Sequence, residues 1–159
     1  MNYHIYVNEN NISANHNAAI NEYIKRLSAF CNIAIHTCNK HSISKDLCRH
    51  GHGILIIKKG PSTWSSTDFA NYISDSQISG ISTLHIFIGF SDRTLNEKPQ
   101  ISYHASDNNI VSSTNRSLAE NISNLYMSAY DFSHQTAVLL FIEQLYRAYT
   151  IINGKTYHK

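Results

Sequence analysis

Residues 54–61 read ILIIKKGP. An unbroken run of large, mostly β-branched apolar residues, stopped by Lys58, Lys59, Gly60 and Pro61, is the pattern of a strand buried on both faces. The run is therefore expected to be a central strand of a parallel sheet. Just downstream, Ser65 and Ser66 are placed to cap a helix, with Asp68 favourable in its first turn and Phe69, Tyr72 and Ile73 on its apolar side. The chain then returns through Gly80 to a second strand-like run, Leu84 to Ile88, closed by Gly89. Strand, helix, strand in this order implies right-handed crossovers and an α/β parallel sheet flanked by helices.

Upstream, Tyr3 to Val7 is a short β-prone run, and Ala18 to Phe30 places Ile20, Tyr23, Ile24 and Leu27 at helical spacing. Ile33 and Ile35 then alternate with small or polar residues, before a loop rich in Cys, His and Lys that runs to Gly53. From residue 91 to about 124 the composition turns polar and loses periodicity, which reads as an extended loop with one short helix around Ser117 to Ile122. Leu125 to Met127 is expected to be a short last strand. Val138, Ile142, Leu145 and Tyr149, joined by Leu139, Phe141 and Tyr146, form a broad apolar stripe on a helix that Ser133 is placed to cap. So apolar a helix packs into the core or against a partner subunit.

A chain of 159 residues suits one domain, expected to span 1–159. Met1 to Val7 has neither a basic flank nor a long apolar run, and nowhere do enough apolar residues follow one another to cross a bilayer. A soluble, cytoplasmic protein with no membrane partner is the expectation. The net charge of +2 leaves RNA binding open without indicating it. Most of the ten histidines read as surface polar residues. Cys31, Cys38 and Cys48, with His36, His41, His50 and His52, invite a zinc reading, but the spacing lacks the close cysteine pairs of structural sites, and no metal is expected.

Ligands of open parallel sheets bind outside the carboxyl ends of the strands, so Ile57, Gly89 and the segment after Met127 are expected to converge on one cleft. No phosphate-cradling glycine motif and no nucleophile elbow occurs, which lowers the case for a P-loop enzyme, a Rossmann dehydrogenase or a hydrolase.

The segment Tyr146 to Lys159, YRAYTIINGKTYHK, takes an apolar helix through Asn153-Gly154 into an aromatic and basic tail. Together with HQTAVLLFIEQLYRAY (His134 to Tyr149) and NEYIKRLSAFCNIAI (Asn21 to Ile35), it resembles the SPOUT-superfamily methyltransferases that methylate N3 of a pseudouridine in large-subunit ribosomal RNA. The resemblance implies a single SPOUT-like α/β domain with a C-terminal trefoil knot, a feature that general topology rules would not propose. It implies S-adenosylmethionine as cofactor, held by Ile57, Gly89 and the loop Met127, Ser128, Ala129, Tyr130, Asp131 and Phe132. It further implies a homodimer acting on ribosomal RNA in the assembled ribosome or large subunit, with the tail near a cofactor cleft, its own or its neighbour's.

Methyl transfer from a sulfonium needs mainly alignment, whereas N3 of pseudouridine must lose a proton. Under the resemblance, Arg147 is the candidate for electrostatic stabilisation, and Tyr157 and His158 for base positioning and RNA contact. Four positions depart from the family pattern: Phe90 stands for a second glycine, Asp131 for threonine, Ser133 for proline and Val138 for arginine. Phe90, Asp131 and Val138 support an alternative, a SPOUT-like RNA- or ribosome-binding module without methyl transfer.

Overall fold

The computed structural model describes residues 1–38, 51–90 and 122–155. In chain order they form β1 (Asn2–Val7), α1 (Ala14–Leu27), β2 (Asn32–Thr37), β3 (His52–Lys59), α2 (Ser66–Ile78), β4 (Thr83–Ile88), β5 (Ile122–Ser128) and α3 (His134–Ile152). The strands make one parallel sheet in the order β2-β1-β4-β3-β5. Both β1-α1-β2 and β3-α2-β4 step one place across the sheet in the same direction. Right-handed crossovers therefore put α1 and α2 on the same face, where α3 packs against both.

Strand alternation divides the sheet into two chemically different faces. Tyr3, Ile5 and Val7 of β1 are fully buried and join Leu55, Leu84, Ile86 and Ile88 in the core beneath the helices. From α3, Val138, Phe141, Ile142, Leu145 and Ala148 complete it, so its apolar stripe is accounted for within one chain. Polar groups meet at the edge of this core as well. Tyr3 and Tyr149 hydroxyls lie 3.0 Å apart, and Gln77 Nε2 donates to Tyr149 at 3.3 Å. Burial pushes the Cys31 thiol up to about 11 and the Tyr149 hydroxyl up to about 12.

The opposite face carries His4 and Tyr6 from β1, His36 from β2, His52 from β3, and His85 and Phe87 from β4. His52 Nδ1 lies 2.9 Å from His85 Nε2, His4 Nδ1 lies 3.1 Å from His36 Nε2, and the Tyr6 hydroxyl lies 3.3 Å from His85 Nδ1. Their rings stack across the strands. His85 is buried, and so is not one of the surface histidines expected to make up most of the ten.

Several boundaries differ from expectation. β3 is interior, between β4 and β5, but only Leu55 and Ile56 of its apolar run are buried, while Ile54 and Ile57 are half-buried. Helix α1 begins at Ala14 rather than Ala18 because Asn15, His16 and Asn17 make a polar first turn with no periodic signal. Residues 122–124, assigned from sequence to the polar loop, are the first of β5. Backbone pairing with β3 recruits them despite the polar side chains of Ser123 and Asn124. The rest of the expected loop and short helix, and the loop members Cys48, His41 and His50, lie outside the described residues.

Candidate functional site

A cleft of about 160 Å³ opens at the carboxyl edge of the sheet. Its walls come from the ends of β3 (Ile57, Lys58, Lys59), β4 (Ile88, Gly89) and β5 (Met127, Ser128), from Tyr130, Asp131 and Phe132, and from the first turns of α3. This is where parallel-sheet topology places a ligand.

Local structure explains why the walls converge. In the β3–β5 register Lys58 faces Tyr126 and Lys59 faces Ser128, so Met127 is an extra residue, a bulge that re-aims the strand end toward the cleft. Gly60 N–H donates to the Ser128 carbonyl at 3.0 Å, and Tyr130 N–H donates to Ser128 Oγ at 2.9 Å, fixing the turn into the loop. A Cβ at Gly60 would come within 2.4 Å of the Tyr126 ring, so this close approach requires glycine. Ser133 then caps α3, accepting from Thr136 N–H at 3.2 Å.

Gly89 has two reasons to be glycine. Its φ is 81°, and a Cβ there would stand 2.5 Å from His134 Nε2. Asn8 Nδ2 donates to the Gly89 carbonyl at 2.9 Å, tying the end of β1 to the end of β4. His134 Nδ1 lies 3.1 Å from the Asn8 carbonyl and 3.2 Å from Glu9 Oε1. Both are acceptors, so Nδ1 carries a proton, and in the neutral ring Nε2 presents a lone pair at the cleft. Across the mouth, Lys59 Nζ donates to Asp131 Oδ2.

Of the residues chosen from sequence, Ile57, Gly89, Met127, Ser128, Tyr130, Asp131 and Phe132 all line the cleft, while Ala129 does not. Arg147 stands apart. It is on α3 thirteen residues beyond His134, about 20 Å along the helix axis, and it pairs with Glu143 at 3.2 Å. Tyr157 and His158 lie outside the described residues. The three departures that support the alternative fall into place differently. Val138 is buried in the core, Phe90 is buried edge-on against Phe87 with ring centroids 5.6 Å apart, and neither lines the cleft. Asp131 is a cleft residue, paired with Lys59.

Sequence reasoning missed Asn8 and Glu9, although their position just after β1 is subject to the same strand-end rule. From sequence alone His134 offers no more than capping or packing at the helix start, and Lys58 and Lys59 fit either phosphate contact or an ordinary solvated charge. Among the described residues no group of three His, Cys, Asp or Glu side chains is arranged to hold a metal, and no helix is long and apolar enough to cross a membrane.

Comparison with known proteins points to the same region. The family described as "Predicted SPOUT methyltransferase" matches residues 113–158, which include β5, the cleft loop and α3. "Ribosomal RNA large subunit methyltransferase H 1" of Thermoanaerobacter sp. (strain X514) is 31% identical over 160 residues, covering 100% of each chain. "Ribosomal RNA large subunit methyltransferase H" of Clostridium tetani is 29% identical over 160 residues, covering 89% of each, and that of Bacteroides thetaiotaomicron is 27% identical over 161 residues, covering 88% of this chain and 87% of its own. Similarity that runs the whole length of the fold, cleft included, makes this chain a member of the ribosomal RNA large subunit methyltransferase H family.

Proposed function

We propose that the chain transfers a methyl group from S-adenosylmethionine to N3 of a pseudouridine in large-subunit ribosomal RNA, acting as a homodimer on the assembled ribosome or large subunit. The observation that carries this reading is the convergence of Ile57, Gly89 and the 127–132 segment on one cleft. Apolar walls from Ile57, Met127, Phe132 and Leu140, with a few polar groups among them, are the make-up of a small-molecule site. The absent Cβ of Gly89 lets the His134 ring pack against the strand end beside the cleft, and Phe90 lies outside the cleft lining, so neither residue obstructs the donor.

When bound, the donor supplies a methyl group already activated on a sulfonium. The chain's own residues shape the cleft, exclude water and handle the N3 proton. His134 Nε2 is an acceptor at the cleft, held in its tautomer by Asn8. Tyr157 and His158 position the base and contact RNA, and Arg147 stabilises negative charge developing at N3. Since Arg147 is far from its own cleft, it serves that of a second copy. Residues 1–159 act as one domain in the cytoplasm, with the 127–132 segment threaded through a trefoil knot.

The reading without methyl transfer draws on Phe90, Asp131 and Val138, and the first and last of these are away from the cleft. The test is incubation with ribosomes and separated large subunits in the presence of S-adenosylmethionine labelled in the methyl group, followed by mapping of the product. Label at N3 of one pseudouridine is expected. Ribosome binding without any transfer, and with no binding of S-adenosylmethionine at millimolar concentration, would instead favour the binding module.

A further inference from the structure

An ion pair crosses the cleft mouth. Lys59 ends β3, and Asp131 sits in the loop between β5 and α3, and both line the cleft. Their side chains are 59% and 78% exposed, so in water the pair is weak and opens readily. A ligand carrying a carboxylate and an ammonium on one carbon offers the complement of this pair. Lys59 takes the carboxylate and Asp131 the ammonium, and each gets a charge-assisted hydrogen bond in place of the one given up.

We propose that Lys59 and Asp131 together recognise the zwitterionic amino-acid end of the methyl donor, a positioning role that rests on the donor reading above. The apolar walls around Ile57, Met127 and Phe132 then take the remainder of the ligand. One bridging ligand thus ties the strand end to the loop that precedes α3.

Calorimetric titration with two compounds tests this: S-adenosylhomocysteine, which has the amino-acid end, and 5′-methylthioadenosine, which lacks it. The natural chain is expected to bind the first about tenfold or more tighter than the second. Lys59→Ala and Asp131→Ala each lose about tenfold toward S-adenosylhomocysteine with no change toward 5′-methylthioadenosine, and Lys59→Arg keeps most of the affinity. Equal losses toward both compounds, or no loss toward either, would overturn the assignment while leaving the donor reading intact. Failure of the natural chain to bind either compound at millimolar concentration would overturn the donor reading and this inference with it. Both side chains are exposed, and unchanged thermal unfolding of the variants confirms that folding is not what the titrations report.

Discussion

A methyl group added at Gly89 would sit 2.5 Å from His134 Nε2 on a backbone at φ 81°, so Gly89→Ala meets both a clash and an unfavourable conformation. It is expected to cost about 1–3 kcal/mol of stability and to weaken donor binding at least tenfold, measurable by urea unfolding and calorimetry. The identity of Gly89 as a cleft residue was legible, because a glycine ending a parallel strand is positioned by topology. The role of His134 was not, since its tautomer is set by Asn8 and Glu9, more than 120 residues away in sequence. The histidine face was hidden for the same reason: only the register of four strands brings His4, His36, His52 and His85 together.

That face predicts a pH dependence. Burial, then the neighbouring His52, His4 and His36, lowers the His85 pKa to about 4, and burial with His4 lowers that of His36. Between about pH 6.5 and 4 the unfolded chain binds protons that folded His85 refuses, so stability is full above 6.5 and falls as the solution is acidified through that window. The loss from His85 is on the order of 2–3 kcal/mol. Tyr6 is a further titratable neighbour on this side, and with its hydroxyl raised by burial it is neutral throughout the window. Urea unfolding at pH 7.5, 6 and 5 should show the decline, and His85→Phe should flatten it. An unchanged slope in that variant would assign the pH dependence to other groups.

Among the elements, those that carry a burial pattern of their own were readable, and those defined by a neighbour were not. Helix α3 announces itself by its apolar stripe and by Ser133, whereas β5 begins with Ile122-Ser123-Asn124, which only the β3 backbone makes a strand. Its bulge at Met127 has no sequence signal either, yet it turns the chain into the cleft loop. Ser133→Ala removes the acceptor for Thr136 N–H and is expected to destabilise the fold by about 1 kcal/mol. Because the capped turn carries His134 and Ala137 on the cleft wall, donor affinity should fall as well. A stability loss with wholly unchanged donor affinity would separate the cap from the site.

At the scale of the molecule, the separation of Arg147 from the cleft carries the strongest constraint on assembly. At about 20 Å along α3 from His134, its guanidinium cannot reach a nucleotide in the cleft of the same chain. A catalytic role for it therefore requires a second copy. This is decidable by mixing two inactive chains. Gly89→Arg blocks a cleft but leaves the tail intact, and the double variant Arg147→Ala/His158→Ala leaves the cleft but removes the groups it would send to its partner. If each cleft is completed by the other copy, random exchange of equal amounts gives about half mixed dimers, each with one complete site, and so about a quarter of the natural activity. If each chain completes its own cleft, both copies of every mixed dimer are defective and the mixture stays inactive. Methyl transfer to ribosomal RNA by the mixture, against silence from each variant alone, is the expected result, and it would place the tail across a two-fold axis from the chain that bears it.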